Sequence, residues 1–317
     1  MTAPALLASV VNPAGRVGQL REATRDLGWA ALLALPALAV FATFTFLPFV
    51  RAIWLSLNVT DIVGSPVTFV GPAYYLRILG LDDTSTQTYL RSILTTVEFT
   101  LLVVPVSIVG PLALALLANQ RLSGIAFFRT IFSSPVAISV ASASVVFALL
   151  YNPSVGVLQW LVNGLGLHVK GVLLDPATAL PAVALVTIWT ASGFHFIILL
   201  AGLQGIPEDL HEGAQVDGAG RWRILTRVTL PLLTPTLMFL VIISTINAFQ
   251  AFTQFNVLIA SGGPGGSTNV LVFALYSSFF KDNRYGFASA ISVVLFIVLL
   301  ALSLLQYKLL ERRVHYQ

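Results

Sequence analysis

Four neutral amides fall close together in one apolar stretch: Asn247, Gln250, Gln254 and Asn256. The first three are spaced by three and four residues, so a helix presents them on one face, with Thr253 and Phe249 flanking it. An amide both donates and accepts, which suits solute hydroxyls, and an aromatic ring suits the C–H surface of a hydroxylated solute. The competing role is hydrogen bonding between helices. Two ionisable residues, Glu98 and His195, also lie in apolar surroundings. Such groups are costly in hydrocarbon and tend to face a cavity or a partner. Glu98 has the alternative of snorkelling from a helix end, and His195 that of a neutral helix–helix bond. Trp189 is a solute contact or a packing group. The candidate solute path is therefore Asn247, Gln250, Thr253, Gln254, Asn256, His195, Trp189 and Glu98.

Other chemistries lack their residues. There is no cysteine, which removes disulfides, thiolate metal sites and cysteine nucleophiles. His168, His195, His211 and His315 are scattered without metal-ligand spacing. Lys170, Lys281 and Lys308 are the only lysines, and none stands in a G-x-x-x-x-G-K-[ST] phosphate loop. The chain has no nucleophile elbow and no paired carboxylates. It is expected to bind no cofactor, to bind no nucleic acid and to be no enzyme.

The elements that must position these residues are membrane helices. Of the 317 residues, 57% are hydrophobic and 9% charged, against about 25% charged in soluble domains. A soluble globule could not solvate its surface with so few charges. Charge-free gaps run from Asp26 to Arg51, Glu98 to Arg121, Arg129 to Lys170, Asp175 to Glu208, Arg227 to Lys281 and Arg284 to Lys308. A spanning helix needs about 20 apolar residues. The gaps predict an all-α polytopic protein with six spans, near 29–51, 93–117, 130–151, 179–203, 232–260 and 285–308. The fifth gap is interrupted by the loop signal Ser261-Gly262-Gly263-Pro264-Gly265-Gly266. The apolar piece after it, 270–280, is too short to cross and is expected to lie on the surface or re-enter.

Arginine sets the expected orientation. With the N-terminus inside, Arg16, Arg21, Arg25, Arg121, Arg129, Arg221, Arg223, Arg227, Lys308, Arg312 and Arg313 are cytoplasmic, 11 of the 17 basic residues. The positive-inside rule then places both termini in the cytoplasm. The expected organisation is a tail over 1–28, a six-span domain over 29–310 and a tail over 311–317. The outer loops near 56–92, 152–178 and 261–284 are too small for separate catalytic domains.

The cytoplasmic loop 204–231 carries the densest pattern. Pro207 suits a first helical turn, and Glu208 and Asp209 suit the positive end of the helix dipole. Gly218 and Gly220 break that helix. Trp222, Leu225 and Val228 then recur at helical spacing before Pro231. Two readings follow: an amphipathic connector, or a short helix and sharp turn shaped to dock in another protein's groove.

The same stretch resembles the EAA loop of permease subunits in binding-protein-dependent ABC importers: Glu-Ala-Ala, three residues, Gly, nine residues, Ile-x-Leu-Pro. Here the match is Glu212-Gly213-Ala214, then Asp217-Gly218, then Val228-Thr229-Leu230-Pro231. Gly213 and Val228 are the two departures. Phe69-Val70-Gly71-Pro72-Ala73-Tyr74-Tyr75, Ala201-Gly202-Leu203-Gln204-Gly205-Ile206-Pro207 and Ser261-Gly262-Gly263-Pro264 resemble further motifs of the carbohydrate-type permeases. The tail Gln306–Gln317 resembles that of A-type permeases of glycerol-3-phosphate importers.

The resemblance implies a type I importer permease in a bacterial cytoplasmic membrane. It would pair with a second homologous permease as a heterodimer. It would receive solute from an external binding protein. Two copies of a cytoplasmic ABC ATPase, holding ATP and Mg, would drive it. Glu212, Gly213, Ala214, Asp217, Gly218, Leu230 and Pro231 would carry the ATPase coupling. The implied solute is glycerol-3-phosphate or a glycerophosphodiester, whereas the neutral amides point to a mono- or oligosaccharide. A stand-alone ion-coupled carrier or channel is the reading of another class. It needs several buried carboxylates or broken helices, and Glu98 alone qualifies.

Overall fold

A computed structural model describes residues 32–81, 88–120, 123–166, 171–259 and 262–311. The expected tail over 1–28, most of the tail over 311–317, and Arg121, His168, Lys170 and Ser261 lie outside the described residues. The chain divides into one unit ending at Trp54 and a second beginning at Leu55. The described part of the first is one apolar helix, α1 (Leu32–Leu55), whose final residue already belongs to the second unit. It contains a π-helical stretch at Ala42–Phe46.

The second unit opens with an antiparallel hairpin, β1 (Asn58–Thr60) and β2 (Pro66–Phe69), with Asn58 opposite Phe69 and Val59 opposite Thr68. Asp61 Oδ1 closes its turn by accepting from the amides of Val63 (3.0 Å) and Ser65 (2.7 Å). The hairpin was not expected; the charge and turn pattern read this stretch only as loop. A short helix α2 (Ala73–Ile78) follows.

Two long helices, α3 (Thr88–Ala118) and α7 (Pro176–Gln204), pack against each other along their lengths. Phe99, Val103, Val183, Phe196 and Leu199 form the core there, joined by Leu240 and Phe255 from further along the chain. Asp175 starts α7 by accepting from the Ala177 amide at 2.8 Å, with Pro176 at the first helical position where no amide is needed. Arg129 ends α3: its Nε and Nη2 donate to the Ala118 carbonyl at 3.1 and 2.8 Å.

The third expected span, 130–151, is not one helix. It is α4 (Ile125–Ser133), a 3-10 turn at Ser134–Ala137 and α5 (Val140–Leu150), bent by 100°. Pro135 sits in the turn, Ile138 is extended, and Ser139 caps α5 by accepting from the Ser142 amide. A charge gap cannot register such a bend. After α5 come a short amphipathic helix α6 (Val157–Gly164) and then α7.

Beyond α7 the chain forms α8 (Glu208–Val216) and α9 (Arg221–Ile224), then a π-helical stretch at Leu225–Thr229 and a helical turn at Leu230–Leu232. The fifth expected span, 232–260, is also broken. Helix α10 (Thr234–Phe249) stops, residues 250–252 leave helical geometry, and α11 (Thr253–Leu258) resumes. The short helix α12 (Leu271–Tyr276) continues as a π turn to Lys281, matching the expected non-crossing piece. The last helix is α13 (Tyr285–Glu311). Among the described residues, five helical segments are long and apolar enough to cross a membrane, with α10 and α11 together as one of them, and the bent α4–α5 pair makes a sixth where it counts as one span.

Candidate functional site

A cavity of about 490 Å³ opens where the two broken elements meet α7. Pro135, Val136, Ile138 and Val140 line it from the α4–α5 bend, and Thr187, Thr190 and Ala191 from α7. Asn247 and residues 250–254 complete the wall. Among the described residues, no ionisable side chain lines it. Its chemistry is three amides and three threonines set among apolar groups, and its volume falls in the range of about 300–1,000 Å³ typical of small-molecule sites.

The bend is held there by close packing. Gly193 of α7 lies so near it that an added Cβ would be 2.6 Å from the Val136 amide nitrogen and 2.8 Å from the Ser133 carbonyl. Only glycine permits that approach.

Asn247, Gln250 and Gln254 do meet at the cavity, but not on one continuous helix face as expected. Asn247 and Gln250 are exposed to the cavity side. Gln250 terminates α10, and its own carbonyl and side chain stand at the break. Gln254, by contrast, is 5% exposed, and its Nε2 donates to Thr187 Oγ1 at 3.0 Å. It orients the threonine and packs α11 on α7. Thr253 lines the cavity, Asn256 is half-buried outside the lining, and Phe249 is buried.

The other expected path residues sit elsewhere. His195 is 2% exposed and absent from the cavity wall. Its Nδ1–H donates to the Ser107 carbonyl at 2.6 Å, and its Nε2 accepts from the Ser244 hydroxyl at 3.0 Å. The carbonyl is available because Pro111, four residues on, has no amide to offer it. His195 is thus a neutral tie joining α3, α7 and α10. Trp189 packs on Phe147 of α5, ring centroids 5.7 Å apart. Glu98 is exposed on α3, away from the cavity lining.

Sequence reading missed Thr187, Thr190 and the bend residues Pro135, Val136 and Ile138. The threonines carry a usable signal, a three-residue spacing on an apolar helix. The bend had one in Ser133-Ser134-Pro135 followed by Ser139.

The loop after α7 has the expected form. Helix α8 ends in a glycine turn in which the Ala219 amide bonds the Ala214 carbonyl at 2.9 Å. Gly218 adopts φ +76°, a left-handed backbone that favours glycine. Glu212, Gly213, Asp217 and Gly218 are exposed, and Ala214, Leu230 and Pro231 half-buried. Val216 and Trp222, 87% and 76% exposed, add two large apolar side chains to the surface of this loop. A compact exposed helix with an acidic and apolar surface is a shape for docking into a groove.

Comparison with known proteins agrees in family and in fold. Residues 84–316 match the family described as the binding-protein-dependent transport system inner membrane component. The trehalose/maltose transport system permease protein MalF of Thermococcus litoralis is 35% identical over 292 residues, covering 92% of this chain and 95% of that one. The sn-glycerol-3-phosphate transport system permease protein UgpA of Agrobacterium fabrum is 33% identical over 287 residues, covering 90% and 95%. A solved bacterial ABC transporter involved in import of the acidic polysaccharide alginate superposes with a TM-score of 0.77 at 26% identity, covering 93% of this chain and 98% of that one.

Proposed function

Because the chain belongs to the binding-protein-dependent transport system inner membrane component family, as a sugar-type ABC importer permease whose ATP is hydrolysed by a separate subunit, we propose that it forms half of the pore for a neutral, hydroxylated solute of the saccharide class. The observation that carries this reading is the cavity beside the α10–α11 break. It offers Asn247, Gln250, Thr190 and Thr253 and, among the described residues, no charged group. Amides and hydroxyls exchange hydrogen bonds with sugar hydroxyls, while a phosphate ordinarily meets arginine or lysine. The α10–α11 break also brings irregular backbone, residues 250–252, to the wall, which at membrane depth is tolerated where it lines a cavity.

The assembly follows from the same reading. A second, non-identical permease closes the other half of the path, an external binding protein delivers the solute, and two ATPase subunits bearing ATP and Mg dock on Glu212–Gly218. Both termini are cytoplasmic. The alginate transporter has been solved in complex with its pentasaccharide-bound periplasmic protein, at 25% identity to this chain, which supports the binding-protein partner. The 33% identity to the glycerol-3-phosphate permease favours a second reading, glycerol-3-phosphate or a glycerophosphodiester. In that case phosphate recognition rests with the binding protein or the second permease.

The test is Gln250→Leu in the complete importer, with uptake measured per folded molecule. Loss of one solute hydrogen bond is worth about 0.5–1.5 kcal/mol, so uptake at low solute concentration falls roughly two- to thirteenfold at unchanged membrane levels. Destabilisation with uptake per folded molecule unchanged would move the path elsewhere. A thermal-shift screen of the binding protein against saccharides and glycerol phosphates separates the two solute classes.

A further inference from the structure

We infer that His211 is the positioning residue through which a displacement of α8 reaches the fifth span; the inference rests on the reading of the loop as the ATPase contact. Helix α8 touches the rest of the chain by a narrow face. Of its residues only His211 and Ala214 are half-buried, and the others are exposed. From that face His211 Nε2 pairs with the Thr229 hydroxyl at 3.2 Å.

Thr229 is the sensitive end of this contact. It is 6% exposed and closes the π-helical stretch Leu225–Thr229, directly ahead of Leu230-Pro231 and α10. A π turn holds an extra residue against the α-helical ladder and recurs at functional sites. A pull at Thr229 therefore acts on an irregular π winding instead of a regular α-helical ladder, and would be transmitted as a rotation of α10. That helix ends at Gln250, in the cavity wall.

There is also room for the movement. A hollow of about 280 Å³ lies behind α8, lined by Asn119 at the end of α3, Leu203, Gln204, Ile206, Glu208 and His211. A shift of α8 toward the ends of α3 and α7 would enter this hollow and carry His211 with it. A rigidly packed connector would leave no such space.

The experiment uses the complete importer, reconstituted with its ATPase, second permease and binding protein. In His211→Ala the ratio of solute-stimulated to basal ATP hydrolysis falls about two- to thirteenfold, the range that one neutral hydrogen bond commands. Basal hydrolysis and co-purification of the ATPase persist. His211→Gln, which keeps a polar group of similar reach, restores most of the ratio. Thr229→Val gives the same fall, and the double variant falls no further. Full stimulation in His211→Ala, multiplied losses in the double variant, or loss of ATPase co-purification would each overturn the inference. Glu212→Lys separates the layers. If it leaves docking and stimulation intact, the loop reading itself fails. If it abolishes stimulation while His211→Ala does not, only the role of His211 is withdrawn.

Discussion

The tie between Pro111 and His195 makes a quantitative prediction. Pro111 deprives the Ser107 carbonyl of its helical partner, and His195 Nδ1–H replaces it at 2.6 Å inside the core. In His195→Leu two groups lose a partner. The Ser244 hydroxyl can turn back to the carbonyl four residues earlier on its own helix. The Ser107 carbonyl has no such recourse. A buried polar group left unpaired costs about 1–3 kcal/mol, while bonds between membrane helices measure about 0.6 on average and at most about 1.7. The expected destabilisation is about 1–1.5 kcal/mol, close to a tenfold change in the folded-to-unfolded ratio. Pro111→Ala restores an amide four residues after Ser107. In that background His195→Leu should cost less than about 0.5 kcal/mol. The assay is equilibrium unfolding in mixed micelles for the wild type, both single variants and the double variant, read as a double-mutant cycle. Equal destabilisation by His195→Leu in both backgrounds would refute the proline argument and leave the histidine as ordinary packing.

Two further outcomes are expected. In the naturally cysteine-free chain, Asp217→Cys should react with an impermeant thiol reagent only from the cytoplasm and Gly265→Cys only from outside; the reverse labelling would invert the topology. Gly193→Ala should destabilise by about 1–3 kcal/mol, the cost of overpacking, because its Cβ would lie 2.6 Å from a backbone nitrogen of the bend. A thermal melt in detergent measures this, and an unchanged melting temperature would show that the bend yields freely.

What was legible in the sequence was whatever charge and glycine record. Placing a charge in hydrocarbon is costly enough that the gaps between charged residues mark the spans almost unaided. Gly218 was legible because a left-handed turn favours glycine, and its φ of +76° bears that out. The breaks inside the spans left no mark in the charge pattern; the bend at 134–139 was signalled only by Ser133-Ser134-Pro135 and Ser139, and the break at 250–252 by nothing local. Residues 250–252 contain no proline or glycine, and the bend at 134–139 is stabilised by partners far away in the chain, Gly193 above all. The amides illustrate the consequence. A spacing of three and four predicts a shared face only if the helix is continuous. Here the helix stops at Phe249, and the same residues divide between two jobs. Gln250 stays open at the break, while Gln254 is committed to Thr187. His195 divides along the same line. Its burial in an apolar span was readable, but its role depended on a carbonyl freed by Pro111 on another helix. Polar groups at membrane depth are thus ambiguous in sequence for a physical reason: the partner that decides between solute contact and helix tie is supplied by the fold, often by a proline that releases a carbonyl elsewhere.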